Sequence, residues 1–164
     1  METAVIDEPE PQDLVGRERA VAELYRREYR SMVRLAHLIT GSNEVAEDLV
    51  QDSFVRLYHR WGKVDQPGAY LRMTVINRCR SWHRRRRLER ERSLRPVPES
   101  MASDPRELLD ALARLPLRQR TALVLRFYVD LTEADVARAL GCRPGTAKSL
   151  VHRGLRRLEG MIER

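Results

Sequence analysis

From Arg17 to Thr40 the apolar residues Leu24, Tyr25, Met32, Val33, Leu35, Ala36 and Ile39 recur at intervals of three and four, the repeat of an amphipathic helix with one buried stripe. Gly41 is placed to end that helix. Ser42 or Asn43 then caps a second, running to about His59, with Val45, Leu49, Val50, Phe54 and Leu57 on its buried side. The stretch HRWGKVDQPG, residues 59–68, is punctuated by Gly62, Pro67 and Gly68 and reads as a loop. A third helical pattern follows from Ala69 to about Arg87, turning Tyr70, Leu71, Val75, Ile76, Cys79 and Trp82 inward. Residues 88–104 carry Pro96, Pro98, Ser93, Ser100 and Ser103 without apolar periodicity, the composition of a linker. Past them, Asp104 and Pro105 open a helix with Leu108, Leu109, Leu112 and Leu115, which Pro116 breaks. Leu117 to Tyr128 forms another, with Ala122, Leu123, Leu125 and Phe127 on or near its buried side.

No stretch alternates with period two, so the predicted fold class is all-α. Two small helical domains, residues 17–87 and 105–164, are joined by a flexible linker over 88–104. Residues 1–16 hold Pro9, Pro11 and mostly acids, and are expected to form a disordered acidic tail. Seventeen extended linker residues reach up to ~60 Å, enough to place the two domains on separate sites more than one ~34 Å turn of DNA apart.

The most specific local pattern is LTEADVARALGCRPGTAKSLVHRGLRRL, residues 131–158. Thr132 with Asp135 three residues on is an N-cap followed by an acidic N3 residue, and Val136, Ala139 and Leu140 lie on one face. Gly141 suits a left-handed C-cap, and Pro144 suits the first position of a second helix. In that second helix Thr146 and Ala147 are small enough to approach the first, while Val151, Leu155 and Leu158 continue a buried stripe. The opposite face presents Lys148, Ser149, His152, Arg153, Arg156 and Arg157, a set of donors suited to the acceptors of a DNA major groove. The pattern is that of a helix-turn-helix.

Charge sharpens the picture. The chain carries a formal +7 over 164 residues, which favours a polyanionic partner. Its distribution is uneven: residues 1–18 set six carboxylates against Arg17, whereas residues 72–95 set ten arginines against Glu89 and Glu91. The run Arg84 to Arg87 is either a solvated helix end or, with Asn77, Arg80 and His83 on the same helix, a track for a nucleic acid backbone. Trp61 is either a core plug or a platform for an unstacked base. Within this basic chain the second helix exposes Glu44, Glu47, Asp48, Gln51 and Asp52 with no cation before Arg56, and dipole complementation does not account for Asp52, two turns in. We read that face as a docking surface for a basic protein partner. The acidic tail is either solvated chain or a mimic of DNA that competes for the basic faces.

Cys79 and Cys142 are isolated, which leaves neither a disulfide framework nor a CxxC zinc pattern; Cys79 and His83 at i, i+4 are two ligands and no more. No metal, no cofactor and no catalytic constellation is expected. No apolar run approaches a membrane span, and the expected setting is soluble, reducing and cytoplasmic.

Three segments in order resemble the extracytoplasmic-function (ECF) sigma factors of bacterial RNA polymerase: DLVQDSF at 48–54, YLRMTVINRCRSWHRRRR at 70–87, and the stretch LPLRQRTALVLRFYVDLTEADVARALGCRPGTAKSLVHRGLRRL at 115–158. The Ser-Trp-x-Arg-Arg-Arg ending is similar to a SigE-like branch common in actinobacteria. The resemblance implies a promoter-specificity subunit that binds core polymerase at clamp and flap, reads minus-thirty-five and minus-ten elements, and opens DNA without being an enzyme. It implies that Asp48, Gln51 and Asp52, with Glu47 beside them, face the clamp. Asn77 and the loop at Trp61 and Lys63 would hold unstacked minus-ten bases, backed by Arg80, His83, Arg84 and Arg85. Lys148, Ser149, His152 and Arg153, with Arg143 and Thr146 at the helix start, would face the minus-thirty-five groove. An anti-sigma partner is implied as well. Leu150 stands where many members carry a basic residue, Arg143 where a small cap is usual, Met73 for a frequent Arg and Ser81 for a frequent Asp. Two other readings share some of these features: a stand-alone helix-turn-helix regulator, which needs neither the acidic helix nor the second basic helix, and a protein-only adaptor, which does not need the groove-facing set.

Overall fold

The structure is a computed structural model that describes residues 11–92 and 106–162. The described residues form seven α-helices and no strand: α1 Pro11–Thr40, α2 Asn43–Arg60, α3 Pro67–Arg92, α4 Arg106–Arg114, α5 Leu117–Leu123, α6 Glu133–Leu140 and α7 Pro144–Ile162. A 3₁₀ turn, Trp61–Lys63, links α2 to α3, and a π-helical turn, Val124–Tyr128, prolongs α5. Residues 11–16, expected in the acidic tail, are the first turns of α1, since a proline at the first helical position sacrifices no hydrogen bond. The rest of that tail, residues 1–10, lies outside the described residues. Helix α3 likewise runs on to Arg92, past the expected boundary at Arg87, and the remaining linker lies outside the described residues.

The first domain packs α1, α2 and α3 through Leu35, Ile39, Val50, Leu57, Leu71, Val75 and Ile76, all fully buried. Thr40 and Ser42 secure the α1–α2 corner. The Thr40 hydroxyl donates to Ala36 O at 2.8 Å, and Ser42 Oγ accepts from Val45 N–H at 3.4 Å. Gly41, at φ +76°, supplies the left-handed residue between them, a conformation that a side chain resists.

In the second domain α7 lies across α5 and α6. Gly154 makes the α5 crossing close: a Cβ there would meet Leu123 Cδ1 and Cγ at 3.0 Å. Gly154→Ala gains about 1 kcal/mol of helix propensity and loses a similar amount to this overlap, leaving stability almost unchanged. Gly154→Val adds two further carbons to the same contact and is expected to cost about 2 kcal/mol, read as a thermal midpoint lowered by several degrees.

The two domains are packed on one another. Buried residues of α1 to α3 and of α5 to α7 belong to one connected cluster, and Leu38 of α1 reaches the smaller cluster of Leu112, Leu115 and Leu123. The linker's reach permits a wider separation than this packed arrangement uses.

Candidate nucleic-acid interface

The helix-turn-helix is built by local chemistry. Thr132 Oγ1 accepts from Asp135 N–H at 3.2 Å and donates to the Asp135 carboxylate at 2.6 Å. That hydroxyl, with the Arg138 guanidinium also on the carboxylate, holds Asp135 below the usual carboxylate range. At the other end Gly141 adopts φ 60°, ψ 45°, and the N–H groups of Gly141 and Cys142 return to Arg138 O and Ala137 O at 3.2 and 2.9 Å, a Schellman closure. Arg143 O then accepts from the N–H groups of Thr146 and Ala147, the first backbone bonds of α7. Along α7, Ala147, Leu150 and Gly154 are buried, while Arg143, Thr146, Lys148, Ser149, His152 and Arg153 are all exposed. Of the expected set, Thr146, Lys148, Ser149, His152 and Arg153 lie on α7 away from its buried residues, and Arg143 lies in the turn before it. Leu150 is 8% exposed and belongs to the core, so its apolar character removes no contact from that face.

The basic helix α3 is divided. Asn77, Arg84 and Arg85 are exposed on it, with Lys63 exposed in the preceding turn. Trp61 is half-buried against the core cluster, which favours the plug over the free platform. Arg80 and His83 depart from the expected track. The Arg80 guanidinium donates to Ala139 O at 3.0 Å and Leu140 O at 3.5 Å, the last carbonyls of α6. His83 Nε2 lies 2.9 Å from Ile39 O, and because a carbonyl only accepts, that nitrogen carries the proton. Both residues face protein here because the second domain offers unpaired helix-end carbonyls to Arg80, and the end of α1 offers one to His83.

On α2, Glu47, Asp48 and Gln51 are exposed and Asp52 is half-exposed. Asp52 Oδ2 pairs with Arg56 Nε at 3.1 Å and with Arg78 Nη2 at 2.6 Å, so its charge is partly spent tying α2 to α3. Sequence reasoning missed several exposed apolar sites, Tyr25 of the α1 stripe among them. Val55 sits one turn beyond Gln51 and Asp52, 53% exposed; its signal was an apolar position off the buried stripe. Phe127, expected near the buried side, is 59% exposed, because the π turn adds a residue and rotates the register: Val129 N–H bonds to Val124 O, five residues back. Leu108 of α4 is also exposed.

Cys79 is sealed on the inner face of α3, and burial pushes its thiol up to about 12, which suppresses the thiolate that metal binding or alkylation requires. Cys142, in the helix-turn-helix turn, is half-exposed. Iodoacetamide on the native protein is therefore expected to label Cys142 and spare Cys79. Mass spectrometry of tryptic peptides checks this, and equal labelling would mean that the first domain opens readily.

Residues 24–89 match the model of Sigma-70 region 2, and residues 106–158 match that of Sigma-70, region 4. The RNA polymerase sigma-E factor of Streptomyces coelicolor is 35% identical over 146 residues, 83% of this chain and 82% of that protein. This chain belongs to the ECF sigma factors. It is a promoter-specificity subunit of RNA polymerase acting in transcription initiation. The ECF sigma factor SigM of Mycobacterium tuberculosis is similar at 31% identity, covering 91% of this chain and 80% of its own. Among solved structures, the sigma factor RpoE of Bartonella quintana, in complex with the anti-sigma factor NepR, matches at a TM-score of 0.76 and 25% identity, covering 88% of this chain and 98% of that one. In this sigma factor, among the described residues, no helix is long and apolar enough to cross a membrane.

Proposed function

We propose that this sigma factor divides its work among three faces. The exposed row on α7, Thr146, Lys148, Ser149, His152 and Arg153, with Arg143 in the turn before it, reads a minus-thirty-five duplex in the major groove. Lys63, Asn77, Arg84 and Arg85 hold the minus-ten strand once it is unpaired, joined by Arg80 when the second domain swings away, while His83 stays on the end of α1 and supports that face from within the first domain. Glu47, Asp48, Gln51 and Asp52 dock on the polymerase clamp, and the exposed Phe127 turn is the part of the second domain that meets the flap. The observation that carries this reading is the separation of one acidic face from two basic faces on different helices, an arrangement that neither a stand-alone regulator nor a protein-only adaptor needs.

No step requires catalysis. Unstacking costs a few kcal/mol per base, and capture of the strand by stacking and phosphate contacts offsets it. The setting is cytoplasmic, where the polymerase and the promoter are. The partners are core polymerase, promoter DNA and an anti-sigma factor, the last supported by the RpoE–NepR complex that this chain resembles.

Gel filtration with bacterial core polymerase tests the assignment. Co-migration is expected, and its absence with duplex binding intact would favour the stand-alone regulator. Within the holoenzyme, Arg153→Ala is expected to weaken a minus-thirty-five duplex by ~1 to 3 kcal/mol while leaving capture of single-stranded minus-ten DNA unchanged. Loss of both would mean that the two DNA faces are misassigned.

A further inference from the structure

Between the domains lies a groove of about 1420 Å³, walled by the end of α1, the start of α2, the outer half of α3, and α4 with α5. Its described lining is rich in arginines of both domains, with Asp110 the carboxylate among the described lining residues. Most of these are surface cations that water solvates. Arg120 is different. It is 5% exposed, its Nε is buried without a hydrogen-bond partner, and its Nη1 makes a long 3.5 Å bond to Ala113 O. That Nη1 lies 4.0 Å from where a Cβ on Gly41 would stand, against the corner that starts α2. A guanidinium taken out of water with no ion-pair partner among the described residues is costly, and desolvation pulls its pKa down. Natural folds resolve such a residue with an anion.

The surroundings supply the rest of an anion site. The first turn of the 18-residue α2, capped by Ser42, turns the positive end of its dipole toward the groove. Arg84 reaches the groove from the first domain, and Arg114 and Arg118 reach it, exposed, from the second. We propose that this groove binds a free phosphoanhydride, pyrophosphate or the polyphosphate of a nucleotide, which neutralises Arg120 and holds the two domains together. The ligand is then a brake. It favours the packed arrangement in which Arg80 is spent on α6, and it competes with the minus-ten strand for Arg84.

A DNA backbone phosphate has the same chemistry, so the test separates the two sources. Pyrophosphate is titrated calorimetrically into the full chain at low salt. Saturable binding is expected, with a raised thermal midpoint, and pyrophosphate is expected to weaken binding of a single-stranded minus-ten oligonucleotide. The double variant Arg114→Ala/Arg118→Ala, confined to exposed positions, is expected to lose pyrophosphate affinity by about tenfold or more. Arg34→Ala, an exposed cation on α1 outside the groove, is expected to change it less than about twofold. Arg120→Leu removes the buried charge and should abolish the site; if that variant does not fold, the exposed pair still decides. Heat that never saturates, or equal losses in Arg34→Ala and the double variant, would reduce the effect to screening of a basic surface and overturn the proposal. A double variant that loses oligonucleotide affinity while keeping pyrophosphate affinity would also overturn it, leaving the groove as a track for DNA alone.

Discussion

Reversing two charges on α2, Glu47→Arg with Asp48→Arg, is expected to abolish co-migration with core RNA polymerase and to leave the thermal midpoint of the free chain almost unmoved. Both side chains are exposed, and neither belongs to the buried side formed by Ala46, Leu49, Val50, Ser53, Phe54 and Leu57. Both lie beyond the first turn, where the macrodipole effect has largely decayed, so the fold should lose about 1 kcal/mol at most. Binding is another matter. Like charges set opposite each other across an interface cost several kcal/mol, and each ~1.4 kcal/mol is a factor of ten in affinity, so a loss of about a hundredfold or more is expected. Asp52→Arg, the more obvious substitution, is a poorer probe. Its carboxylate holds Arg56 and Arg78, and an arginine in its place would set three guanidinium groups together between α2 and α3. Each exposed pair is worth up to ~1 kcal/mol, so lost binding would be mixed with a loosened first domain. Asp52→Asn keeps the shape and separates the two effects. Fluorescence anisotropy with labelled core polymerase, read beside a thermal melt, decides: unchanged affinity in the double variant would remove α2 from the docking surface.

What was legible in the sequence follows the range of the forces involved. The helix-turn-helix could be read because each of its signals is local: Thr132 bonds Asp135, Gly141 takes the left-handed conformation two residues before Arg143, and the exposed row on α7 follows from the helical repeat alone. The acidic face of α2 was legible for the same reason. Arg80 and His83 were not, because their acceptors, Ala139 O, Leu140 O and Ile39 O, lie 44 to 60 residues away in the chain. A basic residue on a polar helix face looks the same in sequence whether it meets a phosphate or the carbonyl end of another helix. Phe127 was misplaced by a different cause. An α repeat continued through Val124–Tyr128 points it inward, and one additional residue per turn points it out. Arg120 fell within the helical stretch Leu117 to Tyr128 and carried no signal of its burial, nor of Gly41 standing near its Nη1 from the other domain.

Arg80→Ala is the second large expected effect, and it has two opposed consequences. In the free chain the guanidinium caps the carbonyl end of α6, where two charge-assisted bonds meet the negative end of a helix dipole. Such bonds contribute about 1.5 to 3 kcal/mol, so an open form populated at ~1% would rise to tens of per cent when they are removed. Small-angle scattering should show a larger radius of gyration, and a minus-ten oligonucleotide should bind the free variant more tightly, since apparent affinity scales with the competent fraction. On the proposed reading, the domains part in the holoenzyme and release Arg80 for a backbone phosphate. There the same variant should weaken promoter opening, by the worth of about one phosphate contact, with a shallower dependence on salt. Arg80→Lys separates the two roles. It keeps a point charge for phosphate and loses the planar fork that spans two carbonyls, so it should open the free chain as the alanine does and restore opening in the holoenzyme. An unchanged radius of gyration in both variants would mean that the apolar contacts of Leu38 and its neighbours, not Arg80, hold the domains together. A holoenzyme indifferent to both would confine Arg80 to the packed state and remove it from the minus-ten face.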